Sequence, residues 1–204
     1  MAGKLDGLKD RASKELRTDQ DLLLLTIFST LLAAFGVKMA NEYVIIGSML
    51  ISPLFNPILS ILVPVFTKDK ESFWMGLKSL MIVLFLSLSV AILFWLLVYL
   101  VGGYEIVSTE IFKISIDNFL IAIILGMVGM LLWIWPKVYN TGAGVAIAIS
   151  LVPPIAYSTM YLIYGFYDLS LNYFLAFLVN LVGTLIGGSV VLFFYKKGNY
   201  KTRL

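Results

Sequence analysis

Cysteine and histidine are absent from the 204 residues, and only 13% of the residues are charged, whereas a soluble domain has about a quarter. The chain therefore has no disulfides, no thiol chemistry and no imidazole ligands for a metal ion. A serine nucleophile at Ser52 or Ser150 would need a base, and the surrounding apolar sequence offers no histidine, lysine or buried aspartate. We therefore expect no enzymatic activity, no metal site and no cofactor.

Apolar residues dominate instead. They make up 60% of the chain, the mean hydropathy is +0.96, and several runs reach the ~20 residues that cross a bilayer. These features predict an integral membrane protein with the lipid bilayer, and no nucleic acid, as its partner. Every carboxylate lies outside the apolar runs or at their ends, which argues against a proton relay inside the membrane.

The apolar runs predict an all-α protein with six transmembrane helices, at about residues 21–40, 43–66, 73–101, 116–135, 145–164 and 171–195. Before them, residues 1–20 are basic with apolar residues at helical spacing, which predicts an amphipathic cytoplasmic helix at the membrane surface. The alternative is a solvated tail. After the last helix, residues 196–204 form a basic cytoplasmic tail.

Positive charge indicates the orientation. Six crossings put both termini on one side, and that side carries 13 of the 15 Lys and Arg residues, with Lys38 and Lys113 on the other. Because cytoplasmic loops carry the excess of positive charge, we expect both termini in the cytoplasm and the protein in the plasma membrane.

The second predicted helix contains the segment VIIGSMLISPLFNPILSILVPV, residues 44–65. Three prolines interrupt it, at Pro53, Pro57 and Pro64. Since proline has no N–H, three carbonyls lose their helical donors. They belong to Met49, Pro53 and Ser60. In a membrane, broken backbone is tolerated only against protein or beside a water-filled cavity.

Polar residues recur every four positions in this segment, at Ser48, Ser52, Asn56 and Ser60. That spacing keeps them near one face of the helix. The combination of broken backbone and a polar stripe is typical of a segment that lines a pathway.

A similar segment, VAIAISLVPPIAYSTM, occurs at residues 145–160. Aligning Ser52 with Ser150 also matches Ser60 with Ser158. In this second segment, an adjacent pair of prolines breaks the fifth predicted helix. They are Pro153 and Pro154.

The two broken helices predict two inverted repeats. Residues 21–102 and 116–195 each contain three predicted helices with the broken one in the middle, and an odd number of crossings gives the two units opposite orientations. Inverted repeats with broken helices in corresponding positions are typical of transporters. The alternative is that the prolines are packing kinks, which membrane helices tolerate.

Three segments of the chain carry a family resemblance: VIIGSMLISPLFNPIL, GAGVAIAISLVPPIA and NYFLAFLVNLVGTLIGG. They resemble the signature segments of the hydrophobic membrane family labelled domain of unknown function 389, over about residues 21–192. The resemblance implies a minimal membrane core and, since members are suspected of transport, a transport role. It implies no particular substrate and no site residues.

Together these features predict a channel or facilitator for small cations, lined by the broken helices. The alternatives are a secondary carrier for a small solute and a non-transporting scaffold. Small-residue stripes, such as Gly183 and Gly187, favour a homo-oligomer. The predicted transport path consists of Ser48, Ser52, Pro53, Asn56, Pro57, Ser150, Pro153, Pro154, Ser158 and Asn180. For Asn180 the alternative is a hydrogen bond between helices.

The preference for cations depends on the break and on the outer loops. Rings of carbonyl oxygens can replace the hydration shell of a cation, although the N-terminus of a half-helix would suit an anion. The outer loops carry Glu105, Glu110 and Asp117. This acidic mouth would raise the local concentration of cations.

Overall fold

A computed structural model describes residues 8, 19–102, 114–135 and 151–197. Within these ranges the chain is all-helical, without strands. The described helices are α1 (Gln20–Lys38), α2 (Glu42–Ile51), α3 (Phe55–Thr67), α4 (Lys70–Val101), α5 (Ile116–Ile134), α6 (Val152–Ile163) and α7 (Tyr167–Lys197).

Four of these helices, α1, α4, α5 and α7, are long and apolar enough to cross a membrane. The pair α2 and α3 has the same composition but is bent by 45° at a short break, so it forms a fifth candidate span, broken as predicted. The fifth predicted helix is described only over α6, because residues 136–150 lie outside the described ranges. The architecture is that of a multi-pass membrane protein.

Local capping sets where the helices begin. The Asn41 side chain accepts hydrogen bonds from the N–H groups of Tyr43 and Val44 at the start of α2. Asp69 caps α4 and Ser115 caps α5 in the same way. Because Asp69 caps the chain early, α4 begins three residues before the predicted boundary.

The last helix is longer than predicted at both ends. It runs from Tyr167 to Lys197, so Lys196 and Lys197 belong to α7 rather than to the basic tail. The rest of that tail lies outside the described residues, as does the predicted N-terminal helix except for Leu8 and its last two residues. Leu8 itself is buried.

The helix α6 occupies the centre of the molecule. Ten consecutive residues, Val152–Tyr161, are buried, and α6 packs against α1, α2, α4 and α7. In contrast, large apolar side chains such as Phe85 and Leu100 are exposed on the outer helices. A helix buried on all sides and an apolar exterior are what a bilayer-embedded bundle requires.

Glycines bring α5 and α7 into close contact. A Cβ atom on Gly126 would collide with the backbone of Thr184, and one on Gly187 would collide with the backbone of Ile123. The predicted small-residue stripe of α7 therefore serves packing within the chain.

Two contacts join the ends of the long helices to the short ones. At the end of α7, Lys196 Nζ donates a hydrogen bond of 3.1 Å to the carbonyl of Phe66, in the last turn of α3. At the end of α4, the ring of Tyr99 packs edge-on against Tyr164, which caps α6, with centroids 5.6 Å apart. Each long helix thus ends beside the short helix of the other half.

Candidate functional site

The break between α2 and α3 is the centre of the candidate site. The helix α2 ends at Ile51, and Ser52 turns to extended backbone with φ −64° and ψ 126°. Pro53 and Leu54 follow, both buried, before α3 begins at Phe55. The chain therefore leaves helical geometry in the interior of a span.

The structure changes which carbonyls are free at this break. Met49 and Pro53 lose their helical donors as predicted, but each accepts a hydrogen bond from an N–H three residues later, at 3.3 and 3.1 Å. Both oxygens therefore have a hydrogen-bond donor within the break. The third, that of Ser60, lies against Gly76 of α4.

Different carbonyls are without donors at this break. A helix leaves its last four carbonyls without partners inside the helix, and in α2 only that of Met49 is satisfied. The carbonyls of Ser48, Leu50 and Ile51 accept no hydrogen bond from any part of the chain that the structure describes. Three acceptors are thus left at the negative end of a half-helix dipole.

The polar stripe divides into two pairs. The hydroxyls of Ser48 and Ser60 are fully buried and donate to the carbonyls of Ile45 and Asn56 in their own helices. In contrast, Ser52 and Asn56 are half-buried.

At the break itself, the Ser52 hydroxyl accepts a hydrogen bond from the N–H of Leu54. The Asn56 amide makes no hydrogen bond within the described ranges. Of the four side chains in the polar stripe, only those of Ser52 and Asn56 therefore offer polar atoms at the break.

The second predicted segment is described from residue 151. Pro153 and Pro154 lie buried in the first turn of α6, while Ser150 lies outside the described residues. The Ser158 hydroxyl donates a hydrogen bond of 2.9 Å to the carbonyl of Ser170 on α7. Since α2 packs against α6, the first turn of α6 belongs to the same interior as the break, whereas Ser158 joins α6 to α7.

Asn180 is buried on α7, and its carbonyl accepts a hydrogen bond from Thr184. Eight residues beyond Asn180, Gly188 packs on Leu62 of α3, which is itself eight residues beyond Leu54. Because the ends of α3 and α7 also meet, the two helices run in the same direction and Asn180 lies at about the height of the break. Its side chain already interacts within the chain.

The predicted acidic mouth is described only at Asp117, because Glu105 and Glu110 lie outside the described residues. Asp117 is exposed in the first turn of α5. Two residues later, Phe119 packs beside Gly183, which puts Asp117 next to the middle of α7. Asp168 is in the first turn of α7, so these two carboxylates are at different heights.

One polar residue of α1, Thr30, was not predicted as a site residue from the sequence. Thr26, Ser29 and Thr30 form a buried face on α1. Thr26 and Ser29 donate hydrogen bonds to carbonyls of α1, but the Thr30 hydroxyl is only 2% exposed and has no partner within the described residues. An unpaired buried hydroxyl is costly, and no sequence pattern distinguishes it from its two neighbours.

The chemistry available is therefore that of neutral oxygen atoms. Among the described residues, no cluster of three or more His, Cys, Asp or Glu side chains could hold a metal ion. Carbonyl, hydroxyl and amide oxygens can replace the water around a small cation but cannot take up a proton near neutral pH.

The model of the domain of unknown function DUF389 matches residues 49–186 of the chain. The chain belongs to the DUF389 family. The match runs from the last turn of α2 into α7, so the prolines of both predicted breaks of this DUF389 protein fall inside it. This confirms the resemblance that the three sequence segments indicated.

A related protein extends the comparison. An uncharacterized protein of Methanocaldococcus jannaschii is 24% identical over 203 residues, which cover 93% of this DUF389 chain. The chain spans 59% of the length of that relative. No solved structure matches the chain at a significant level.

Proposed function

We propose that the chain is a membrane transport protein that conducts small cations past the break between α2 and α3. The observation that carries the proposal is the set of unpaired carbonyls, those of Ser48, Leu50 and Ile51, at a 45° break inside an apolar span. In hydrocarbon such groups are tolerated only where they face protein or a water-filled cavity. Carbonyl oxygens at a half-helix C-terminus suit a cation.

The other half-helix supports the choice of cations over anions. An anion at a helix N-terminus is held by the N–H groups of the first turn. In α6, prolines occupy two of the first three positions, and Leu151 provides no side-chain cap. Since only Val152 has an N–H in that turn, α6 offers little to an anion.

Helix lengths support two repeated units. Ser52 and Ser150 are 98 positions apart, and moving the first unit by that distance brings α1, α3 and α4 within two residues of α5, α6 and α7. The matched lengths are 19 and 19 residues for α1 and α5, 13 and 12 for α3 and α6, and 32 and 31 for α4 and α7.

The contacts at the helix ends support an inverted relation between these units. The same displacement converts Phe66 to Tyr164 and Val98 to Lys196, so the contact of Lys196 with Phe66 lies one residue from the counterpart of the contact of Tyr99 with Tyr164. In both cases a long helix ends where the opposite unit turns into its own long helix, which makes α4 and α7 antiparallel. This arrangement supports the proposal of six spans, and the excess of positive charge on one side supports termini in the cytoplasm.

A secondary carrier is the second candidate, because inverted repeats around broken helices also serve alternating access. Dependence of flux on the gradient of a second solute would separate a carrier from a channel. We further propose that the protein works as a homo-oligomer in the plasma membrane. Light scattering in mild detergent that shows only a monomer would exclude this.

Ion flux into liposomes containing the purified protein tests the transport proposal. We expect Ser52→Val and Asn56→Leu to alter cation flux while thermal stability stays near that of the wild type, because both side chains are half-buried at the break. Ser89→Val is the matched control, since Ser89 is exposed on α4 and bonds to its own helix. Normal flux in both break variants, or a reversal potential that follows the anion gradient, would contradict the proposal that cations pass the break.

A further inference from the structure

We infer that Thr30 and the C-terminal carbonyls of α2 form a binding site for a dehydrated alkali cation. The inference rests on the proposed function in that it names the ion site of the same pathway. It depends on two independent observations. Three carbonyls at the end of α2 have no donor among the residues that the structure describes. The Thr30 hydroxyl is 2% exposed and also has no partner there.

Helix register brings these groups to one height. Gly36 on α1 packs against the backbone of Ile45 on α2, and the short turn between the two helices makes them antiparallel. Six residues back from Gly36 is Thr30, and six residues on from Ile45 is Ile51. At 1.5 Å per residue on each helix, Thr30 lies at the height of the last residue of α2.

The helix α6 reaches the same height. Phe35 on α1 packs against Phe94 on α4, with ring centroids 4.7 Å apart, and Trp95 Nε1 donates a hydrogen bond of 3.1 Å to the carbonyl of Ala156. Helical side chains point toward the N-terminus of their helix, so Ala156 lies within about one turn of the height of Thr30. The first turn of α6 and the break in α2 therefore flank the same level of the interior.

The direction of the Thr30 side chain is consistent with this location. On a helical wheel it shares a face with Thr26, Ala34 and Val37, all of them buried. Phe35 lies on the opposite side, in a groove of about 320 Å³ between α1 and α4 that Lys38 also lines. The face of Thr30 therefore turns away from that groove, and α6 is the remaining helix that packs against α1 besides α2 and α4.

The ligand chemistry selects a monovalent cation. The nearest carboxylates on these two helices are Asp21 and Glu42, each nine residues from Thr30 or Ile51, about 14 Å along the helix. Divalent cations are usually held by carboxylates, whereas neutral carbonyls and hydroxyls replace the water around an alkali ion. The negative end of the α2 dipole adds to the attraction.

Thermal unfolding of the detergent-solubilised full-length protein tests the site without requiring transport. We expect NaCl or KCl to raise Tm by about 3–6 °C at ten times Kd, relative to choline chloride of equal ionic strength. Thr30→Val, which keeps the shape and removes the hydroxyl, should weaken the apparent affinity about ten- to a hundredfold. Thr26→Val is the matched control and should bind normally, because the Thr26 hydroxyl is already bonded to Leu22.

A structural effect of the substitution is separated by measuring Tm in choline chloride. There Thr30→Val should be at least as stable as the wild type, because it removes an unpaired buried hydroxyl, and Thr30→Ser should retain the alkali effect. If Thr30→Val does not fold, Thr30→Ala takes its place. Equal stabilisation of the wild type by choline, or an unchanged alkali effect in Thr30→Val or Thr30→Ala, would contradict the proposed site.

Failure of this site and failure of transport give different results. Cation flux in liposomes without a Thr30-dependent rise in Tm would support the transport proposal and exclude the Thr30 site. A Thr30-dependent rise in Tm without flux would support the Thr30 site as a structural ion site and exclude the transport proposal.

Discussion

The first helices of the two halves, α1 and α5, have the same length but different surroundings. α1 buries three hydroxyl-bearing side chains and packs against α2, α4 and α6. The residues 98 positions after Thr26, Ser29 and Thr30 are apolar: Ile124, Met127 and Val128. Ile124 is 53% exposed, whereas Thr26 is 1% exposed. The buried hydroxyls of α1 thus have no counterparts on α5.

The contacts between the first and third helices also differ between the two halves. In the second half, glycines let the backbones of α5 and α7 touch. In the first half, α1 and α4 meet through the larger side chains of Phe35 and Phe94. The first and third helices of the second half therefore pack backbone to backbone, whereas those of the first half meet through side chains.

The largest expected effect breaks the close packing of the second half. In Gly187→Ala the new methyl group meets the backbone of Ile123, which no side-chain rotation can relieve. We expect a loss of about 1–3 kcal/mol of stability, the usual cost of overpacking, measured by thermal unfolding in detergent. Gly47→Ala on α2 is the matched control, because nothing lies within 4 Å of its Cβ position.

The control should gain stability of about 0.5–1 kcal/mol, since alanine favours helix over glycine. Equal effects of Gly187→Ala and Gly47→Ala would show that the two halves are packed alike at these positions, and the contrast between them would fail.

Much of the fold was predictable because the effect of a proline and the length of an apolar run depend on the local sequence alone. Pro53 and Pro57 remove donors whatever surrounds them, so the break could be placed from the sequence. Helix ends were missed by a few residues where a cap such as Asp69 begins the helix early. Family membership was likewise predictable from three segments, because the motifs are contiguous.

The site was less predictable because hydrogen-bond partners are chosen in three dimensions. A proline shows which donor is missing, but Met49 and Pro53 found other donors within the break. A buried serine or threonine can bond to its own helix, as Ser48 does, or to another helix, as Ser158 does, while Thr30 has no partner among the described residues. Nothing in the spacing of these residues separates the two cases.

A smaller effect sharpens the comparison at the contact between α4 and α6. Trp95 is fully buried and bonds to the Ala156 carbonyl, whereas its counterpart 98 residues later, Phe193, is 45% exposed and has no N–H in its ring. We expect Trp95→Phe to lower stability by about 1–2 kcal/mol, from one hydrogen bond and lost packing.

The control for this substitution is Trp74→Phe, because Trp74 is 66% exposed. It should change the midpoint of unfolding by little. If both tryptophans tolerate the change equally, the Trp95 hydrogen bond does not hold α4 against α6, and the first half loses one of the features that distinguish it.

The smallest expected effect concerns the two end contacts, which correspond in position but differ in chemistry. Lys196 places a positive charge on a carbonyl in the last turn of α3, where the helix dipole is negative. Tyr99 and Tyr164 make the corresponding contact with neutral rings. Lys196→Met keeps the apolar stem and removes the charge, so we expect Tm to fall by about 1–3 °C at low salt and by less at 1 M salt, where charges are screened.

Two controls make this result specific. Lys197→Met should leave Tm nearly unchanged, because Lys197 Nζ lies over the Phe193 ring on its own helix rather than at the end of α3. Tyr99→Leu should lower Tm by the same amount at low and at high salt, because its contact carries no charge. A salt-independent effect of Lys196→Met would mean that the lysine acts through its stem alone, and the two end contacts would then be alike in chemistry as well as in position.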